Sequence, residues 1–378
     1  MIGIDLEVLA LAVVVAVACA LPGVFLVLRR MALLSDAISH SILLGIVLAY
    51  FVVQDLSSPF LIVAAAATGV AMVAAVELLH STQRVREDAA IALVFPALFS
   101  LAVLLVARRA GDVHLDVDAV LLGEIAYAPF RRWSAGGQDM GPVALWVMGT
   151  LLLLNAAFLG LFYKELKLST FDPGLAAALG FSPALIHYAF MSMVSVTAVG
   201  AFDAVGSILV VALMVAPPAA ARLLTDRLGW MLVGAAAIAA LSAGLGFGLA
   251  RILDASIAGS MATMAGLLFG VCMLVSPDRG WIAQWARRRR QRLDFAGRML
   301  TIHLLHHEGG PSEVVENRVD HLPEHLRWSP DFAEKVTARA ERKGHLQRTR
   351  DGALHLTPLG REAARHLMTH GAGGTESP

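Results

Sequence analysis

The sequence predicts an all-α chain in two parts: a polytopic helical bundle crossing a membrane eight or nine times, and a smaller polar domain behind it. Three observations carry this. The 378 residues are 57% hydrophobic and 16% charged, with a mean hydropathy of +0.68, more apolar surface than a water-soluble core of this length hides. Long uncharged runs fill residues 8 to 275, whereas the remainder is rich in Arg, Glu and His. Basic residues recur after every second run, the pattern that cytoplasmic loops impose. A formal net charge of zero averages these two regimes and says nothing about partners. Cys19 and Cys272 both lie in apolar runs, which excludes a disulfide framework and a CxxC metal site.

A bilayer core about 30 Å thick needs roughly 20 apolar residues of helix. On that rule the spans fall near 8 to 28, 38 to 53, 59 to 79, 90 to 107, 143 to 163, 185 to 200, 203 to 221, 229 to 250 and 257 to 275. The first follows Asp5 and Glu7 with no Lys or Arg before it, so it reads as a retained span rather than a cleaved signal peptide. The sixth is short, and only Phe202 and Asp203 separate it from the seventh, which is why the count is eight or nine. Arg29 and Arg30, Arg84 and Arg86, Lys164 and Lys167, Arg222 and Arg227, and Arg287 to Arg290 follow alternate spans. Nine crossings, with the N-terminus outside and the C-terminus cytoplasmic, place all five clusters on one side. Arg108, Arg109, Arg131 and Arg132 depart from the rule but are diluted by Asp112, Asp116, Asp118, Glu124 and Asp139.

Small residues at GxxxG spacing, Gly244 with Gly248 and Gly266 with Gly270, point to close packing of the last two spans, within the chain or between subunits. Pro217 and Pro218 are expected to break or kink the end of the seventh.

Ionisable residues inside spans are costly and mark pathways. Asp36 and His40, in LLSDAISHSILLG, stand at i and i+4 and share a helix face if the second span begins by Ser35. A carboxylate oxygen and an imidazole nitrogen together suit zinc, manganese or iron(II). The same residues also fit a helix N-cap at Ser35 or Asp36 with His40 a hydrogen-bonded interior residue. Arg84, Arg86, Glu87 and Asp88 read as a cytoplasmic loop ending in a capping carboxylate. Asp203 either lines a pathway or sits in a turn. In STFDPGLAAALGFSPAL, Pro173 and Gly174 give a turn, LAAALG a short apolar helix, and Gly180 and Pro183 its end. On a cytoplasmic face this helix is a docking candidate for a soluble partner.

These segments resemble the permease family of ATP-binding-cassette importers for zinc, manganese and iron(II). The matching stretches are LPGVFLVLRRMALLSDAISHSILLGIVLA at 21 to 49, REDAAIALVF at 86 to 95, FYKELKLSTFDPGLAAALGFSP at 162 to 183 and AVGSILVVALMVAPPAAARLL at 204 to 224. The resemblance implies a homodimer or pseudo-dimer of permeases around a central pathway, two cytoplasmic ATPase subunits, and an extracytoplasmic metal-binding protein that delivers the ion. It implies that Asp36 and His40 are the DxxxH lining the cation pathway. It places ATPase docking on Phe171, Asp172, Pro173, Leu175, Ala176, Leu179 and Gly180, and gives Asp203 no role. The sequence holds no GxxxxGK[ST] loop, so ATP hydrolysis is expected on a separate subunit. No cofactor is expected; the ion is cargo. A stand-alone secondary metal carrier and a membrane-anchored metal-responsive regulator are the alternatives.

The expected domains are a permease at 1 to 278, a basic linker at 279 to 295, a polar domain at 296 to 370 and a disordered tail at 371 to 378. In the polar domain AGRMLTIHLLHHEG, PSEVVENRVDHL and SPDFAEKVTARAERKGHL read as three helices, the third capped by Ser329. Two short strands about Asp351 and Gly352, then PLGREAARHLMTH as a helix, complete a winged-helix pattern. GHLQRTRDGALHLTPLGREAARHL resembles the wing and following helix of metal-dependent winged-helix repressors. Nine of the 13 His residues fall here, namely His303, His306, His307, His321, His325, His345, His355, His366 and His370. Metal sensing and DNA binding are both open to such a domain. Interleaved acidic residues and a membrane tether favour a regulatory or protein-contact role.

Overall fold

A computed structural model describes residues 2–55, 58–109, 125–135, 138–277, 279–310, 313–350 and 352–370. The chain divides into two compact units, Met1–Gly280 and Trp281–Pro378.

The first unit is built from α1 (Ile2–Leu28), α2 (Ala32–Val53), α3 (Pro59–Ser81), α4 (Glu87–Arg109), α5 (Val143–Leu161), the short α6 (Tyr163–Phe171) and α7 (Pro173–Ala178), then α8 (Pro183–Val205), α9 (Ser207–Leu224), α10 (Leu228–Leu253) and α11 (Ile257–Val275). A 3-10 turn at Ile125–Phe130 leads into an antiparallel hairpin, β1 (Arg132–Ala135) and β2 (Gln138–Pro142), ahead of α5. Among the described residues nine helices are long and apolar enough to cross a membrane. They are apolar on all faces because lipid replaces water as their surroundings. α1 is the hub, packed against α5, α9 and α10, with Leu11, Val15, Cys19 and Phe25 fully buried.

Polar contacts sort the helix ends. Asp5 accepts from Arg251 at 2.8 Å, Glu7 from Arg132 at 2.9 Å, and Asp203 lies 3.6 Å from Arg131, which gathers the start of α1, the hairpin and the ends of α8 and α10. At the opposite end Arg29 meets Ser169 and Thr170, and Arg279 meets Asp226. The long helices therefore alternate in direction, as nine crossings require. Asp112, Asp116, Asp118 and Glu124 lie outside the described residues.

Three boundaries differ from expectation. α2 begins at Ala32, because nothing in Ala32–Ala37 opposes a helix once Arg30 has turned the chain at φ 63°. The break between α8 and α9 falls at Gly206, φ 83°, rather than at Phe202 and Asp203. A left-handed conformation favours glycine, whereas Phe and Asp can continue the helix. Finally, α9 runs through Pro217 and Pro218 to Leu224. Pro218 has no N–H for the Met214 carbonyl four residues back. That oxygen faces Gly23 of α1, where an added Cβ would lie 2.1 Å from it. Gly23→Ala is therefore expected to force α1 and α9 apart, at a cost of at least about 1–3 kcal/mol. Thermal unfolding in detergent checks this against Gly149→Ala, where a Cβ meets nothing within 4 Å and no loss is expected.

The glycine stripes also pack differently from a simple reading. A Cβ at Gly244, Gly248, Gly266 or Gly270 meets nothing within 4 Å in this chain. Gly246, two residues along α10 and so on another face, is the one pressed against Met261 of α11. Inside the bundle the Asn155 side chain donates to the Ala18 carbonyl at 3.0 Å and accepts from Thr197 at 3.0 Å, linking α1, α5 and α8 where no water can compete.

The second unit comprises α12 (Trp281–His307), α13 (Glu313–Glu316), α14 (Leu322–Leu326), α15 (Pro330–Arg342), the antiparallel pair β3 (Leu346–Arg348) and β4 (Leu354–Leu356), and α16 (Pro358–His370). Ala296, Leu300, Leu304, Leu322, Val336, Leu346 and Leu354 form its core. Ser329 caps α15 through Phe332 N. The basic stretch expected as a linker at 279 to 295 is largely helical, since from Trp281 onward it holds no Gly or Pro until Gly297, already well inside α12. The expected second helix is two shorter ones, with Arg318 bridged to Ala353 beside the hairpin. Gly352 turns the hairpin at φ 86°, while Asp351 and residues 371 to 378 lie outside the described residues. Asp294 ties α12 to α15 through Arg339 at 3.1 Å and Lys343 at 2.6 Å. Partial burial raises its pKa, but those two cations outweigh it and hold the carboxyl below the usual carboxylate range.

Candidate functional site

Asp36 and His40 lie one turn apart on α2, with His40 Nε2 3.4 Å from Asp36 Oδ1. Because α2 begins at Ala32 and its cap, Met31, makes no side-chain cap bond, neither Ser35 nor Asp36 is an N-cap. Ser35 instead donates back to the Ala32 carbonyl at 2.9 Å. Both Asp36 and His40 are part-exposed, and the His40 ring is framed by Phe95 and Phe99 of α4 at centroid distances of 6.1 and 5.9 Å. Two aromatic walls fix the ring direction and leave its nitrogen beside the carboxylate. Among the described residues no third His, Cys, Asp or Glu joins the pair. Among the described residues the pair thus offers two ligand atoms, half of a four-coordinate set.

A second group was not anticipated from the sequence. A cavity of about 200 Å³ at the opposite end of the bundle from the hairpin is lined by Glu77, His80, Glu87 and His187 together with Met31 and Leu34. The guanidinium of Arg29 has only donors, so at 3.3 Å it makes His187 Nδ1 an acceptor and puts the ring proton on Nε2, which faces Glu77 at 4.0 Å. Glu87, read as a loop-end cap, lines this cavity; Asp88 stays 3.8 Å from Arg86. A Glu and a His three residues apart at the end of an apolar run, Glu77 and His80, was the signal available in the sequence. Asp203 sits in the last turn of α8, facing Arg131.

The expected docking segment forms α7. Asp172 Oδ1 accepts from Leu175 N at 2.9 Å and caps it, Pro173 occupies the first turn, and Gly180, φ 87°, ends it. Ala176 is fully buried and seats the helix. Phe171, Leu175 and Leu179 are 60%, 47% and 61% exposed among the described residues, three apolar side chains open to solvent on one short segment. Immediately before α7, Arg29 donates from Nε to Thr170 Oγ1 and from Nη2 to Ser169 Oγ, both at 3.0 Å, and lies over the Phe190 ring at 5.1 Å. One guanidinium so joins α1, α6 and α8 beside the cavity.

The model of the ABC 3 transport family matches residues 3–276. The chain is similar to the zinc transport system membrane protein TroD of Treponema pallidum (strain Nichols), 51% identical over 351 residues, 93% of this chain and 95% of that one. It is also similar to the manganese transport system membrane protein MntD of Bacillus subtilis (strain 168), 46% identical over 290 residues, 77% of this chain and 98% of that one. A match of 351 residues extends well past Gly280, so the likeness to TroD takes in most of the second unit. In fold, the chain is similar to PsaBC from Streptococcus pneumoniae in complex with Fab, with a TM-score of 0.60 at 23% identity, covering 72% of this chain and 92% of that one.

Proposed function

Since the chain belongs to the ABC 3 transport family, we propose that it is the membrane permease subunit of an ATP-driven importer carrying zinc, manganese or iron(II) into the cytoplasm. The observation that carries the reading is the carboxylate and imidazole paired at 3.4 Å within one span of a nine-helix bundle. Asp36 and His40 act as ligands in the cation pathway. A half set of ligands among the described residues favours a second permease copy, or a paired homologue, that completes the coordination. The multi-pass chain lies in the cell membrane with its N-terminus outside and its C-terminus in the cytoplasm, because all five basic clusters then face inward.

In that orientation α7 projects its apolar cluster into the cytoplasm, where a separate ATPase subunit docks on Phe171, Leu175 and Leu179. Asp172, Pro173 and Gly180 set the helix ends, and Ala176 its seat. An extracytoplasmic metal-binding protein hands over the ion at the other end. The second unit, with four helices, a hairpin and a closing helix, is read as a winged-helix variant that serves as a cytoplasmic regulatory or protein-contact domain.

Vesicles containing this chain and its ATPase test the proposal with zinc, manganese and iron(II) as probes. Uptake is expected only with ATP and the ATPase present. Uptake that persists without the ATPase would instead mark a stand-alone carrier, and deletion of residues 296 to 378 that abolished all activity while leaving the bundle folded would mark an anchored regulator.

A further inference from the structure

Among the described residues one group of three side chains brings ligand atoms of a transition-metal type together, and it lies in the second unit. His303 and His307 stand at i and i+4 on the last turns of α12, with ring centroids 4.7 Å apart. Glu316, the last residue of α13, places Oε2 2.9 Å from His307 Nε2. One ligand atom from each of the three lies within 4.8 Å of the others, and all three residues are half-buried.

The arrangement is held from behind. Leu300 and Leu304, each three residues before one of the histidines and so beside them on α12, are locked in the core, which fixes the rotation of the helix. Gly309 turns the chain at φ 77°, and its N–H donates to Glu313 Oε2 at 2.8 Å, anchoring α13 against the end of α12. Zinc binds imidazole nitrogen and carboxylate oxygen at about 2.0–2.2 Å, so ligand atoms around one ion sit roughly 3–3.5 Å apart. The present spacing, within 4.8 Å, is wider than this by less than about 2 Å, within the reach of His and Glu side chains that turn about two or three bonds. An ion pair accounts for His307 with Glu316, but His303 brings a third ligand atom to the same point.

We propose that His303, His307 and Glu316 form a binding site for a divalent ion of the zinc class, with three protein ligands and a fourth position open to water. The site shares no residue with Asp36 and His40. An ion here clamps α13 onto α12, joining two elements that the Gly309 turn otherwise connects. On a cytoplasmic domain such a site would sense the imported ion; that role rests on the proposed import, whereas the binding itself does not.

The full chain in detergent, dialysed against buffered zinc, tests the site, with cobalt(II) absorption as a second readout of four-coordinate geometry. His303→Gln, His307→Gln and Glu316→Gln are each expected to weaken one zinc per chain by at least about 100-fold, since even outer partners of ligands contribute about 10–100-fold. His355→Gln, an exposed residue on β4, should leave that zinc in place, as should the double variant Asp36→Ala with His40→Ala. The proposal is overturned if the three Gln variants bind zinc as the unaltered chain does, if the Asp36 and His40 variant loses all bound zinc, or if the unaltered chain binds none. Glu316→Gln preserves shape and hydrogen-bonding capacity, so its loss of zinc with unchanged thermal unfolding separates ligation from folding.

Discussion

Asp36→Ala and His40→Ala should each reduce ATP-driven metal uptake by at least about 100-fold while leaving the amount of folded protein unchanged. The size follows from coordination: removing a ligand deletes a metal bond outright, whereas disturbing only its outer partner already costs about 10–100-fold. The folding argument is separate. Both residues lie inside α2, cap nothing, and are part-exposed, so truncation leaves no buried donor or acceptor stranded. The losses should not multiply in the double variant, because two residues that hold one ion fail together. Uptake of each ion in vesicles, with size-exclusion profiles as the folding control, provides the measurement. Unchanged uptake in both single variants removes these residues from the pathway.

Leu175→Asp and Leu179→Asp are expected to abolish association with the ATPase subunit. Burying a Leu side chain at an interface contributes about 1.5–3 kcal/mol, and each 1.4 kcal/mol is tenfold in affinity. A carboxylate in its place adds a desolvation cost, so a loss exceeding about 100-fold per site follows. Both side chains are exposed within this chain, so the permease alone should melt as before. Ala176→Asp is the informative contrast: Ala176 is fully buried, and a carboxylate there should unseat α7 itself and lower the melting temperature. Co-purification and metal-dependent ATPase turnover read the outcome, and intact association of both Leu variants would move the docking surface elsewhere.

Much of the fold was legible because lipid leaves a long apolar run few alternatives to a spanning helix. The runs gave eight or nine crossings, and the alternation of basic clusters favoured nine, the number of long apolar helices among the described residues. The sixth span was misjudged for a local reason: Asp203 looks like a break, yet its carboxylate reaches Arg131 at the helix end, and the chain turns at Gly206. The prolines of α9 do not break the helix, and Gly23 accommodates the carbonyl that Pro218 leaves without an N–H. Asp36 with His40 was legible because i and i+4 is a spacing internal to one helix. The Arg29 contacts were not, since they link residues 140 to 158 positions apart, and no periodicity encodes such a meeting. His303 and His307 were visible as part of a His-rich stretch, but Glu316 becomes their neighbour only through the turn at Gly309.

Gly206 is the whole connection between α8 and α9, and only Asp254–Ser256 joins α10 to α11. Among the described residues the bundle end far from α7 has these short connections together with the turn Ile125–Phe130 and the hairpin, which Arg131 ties to Asp203 and Arg132 to Glu7. Trp133 is half-exposed there and braced edge-on by Trp146 at 5.5 Å. In the proposed orientation, this exposed pair of indole rings faces the delivering protein and offers it an aromatic contact.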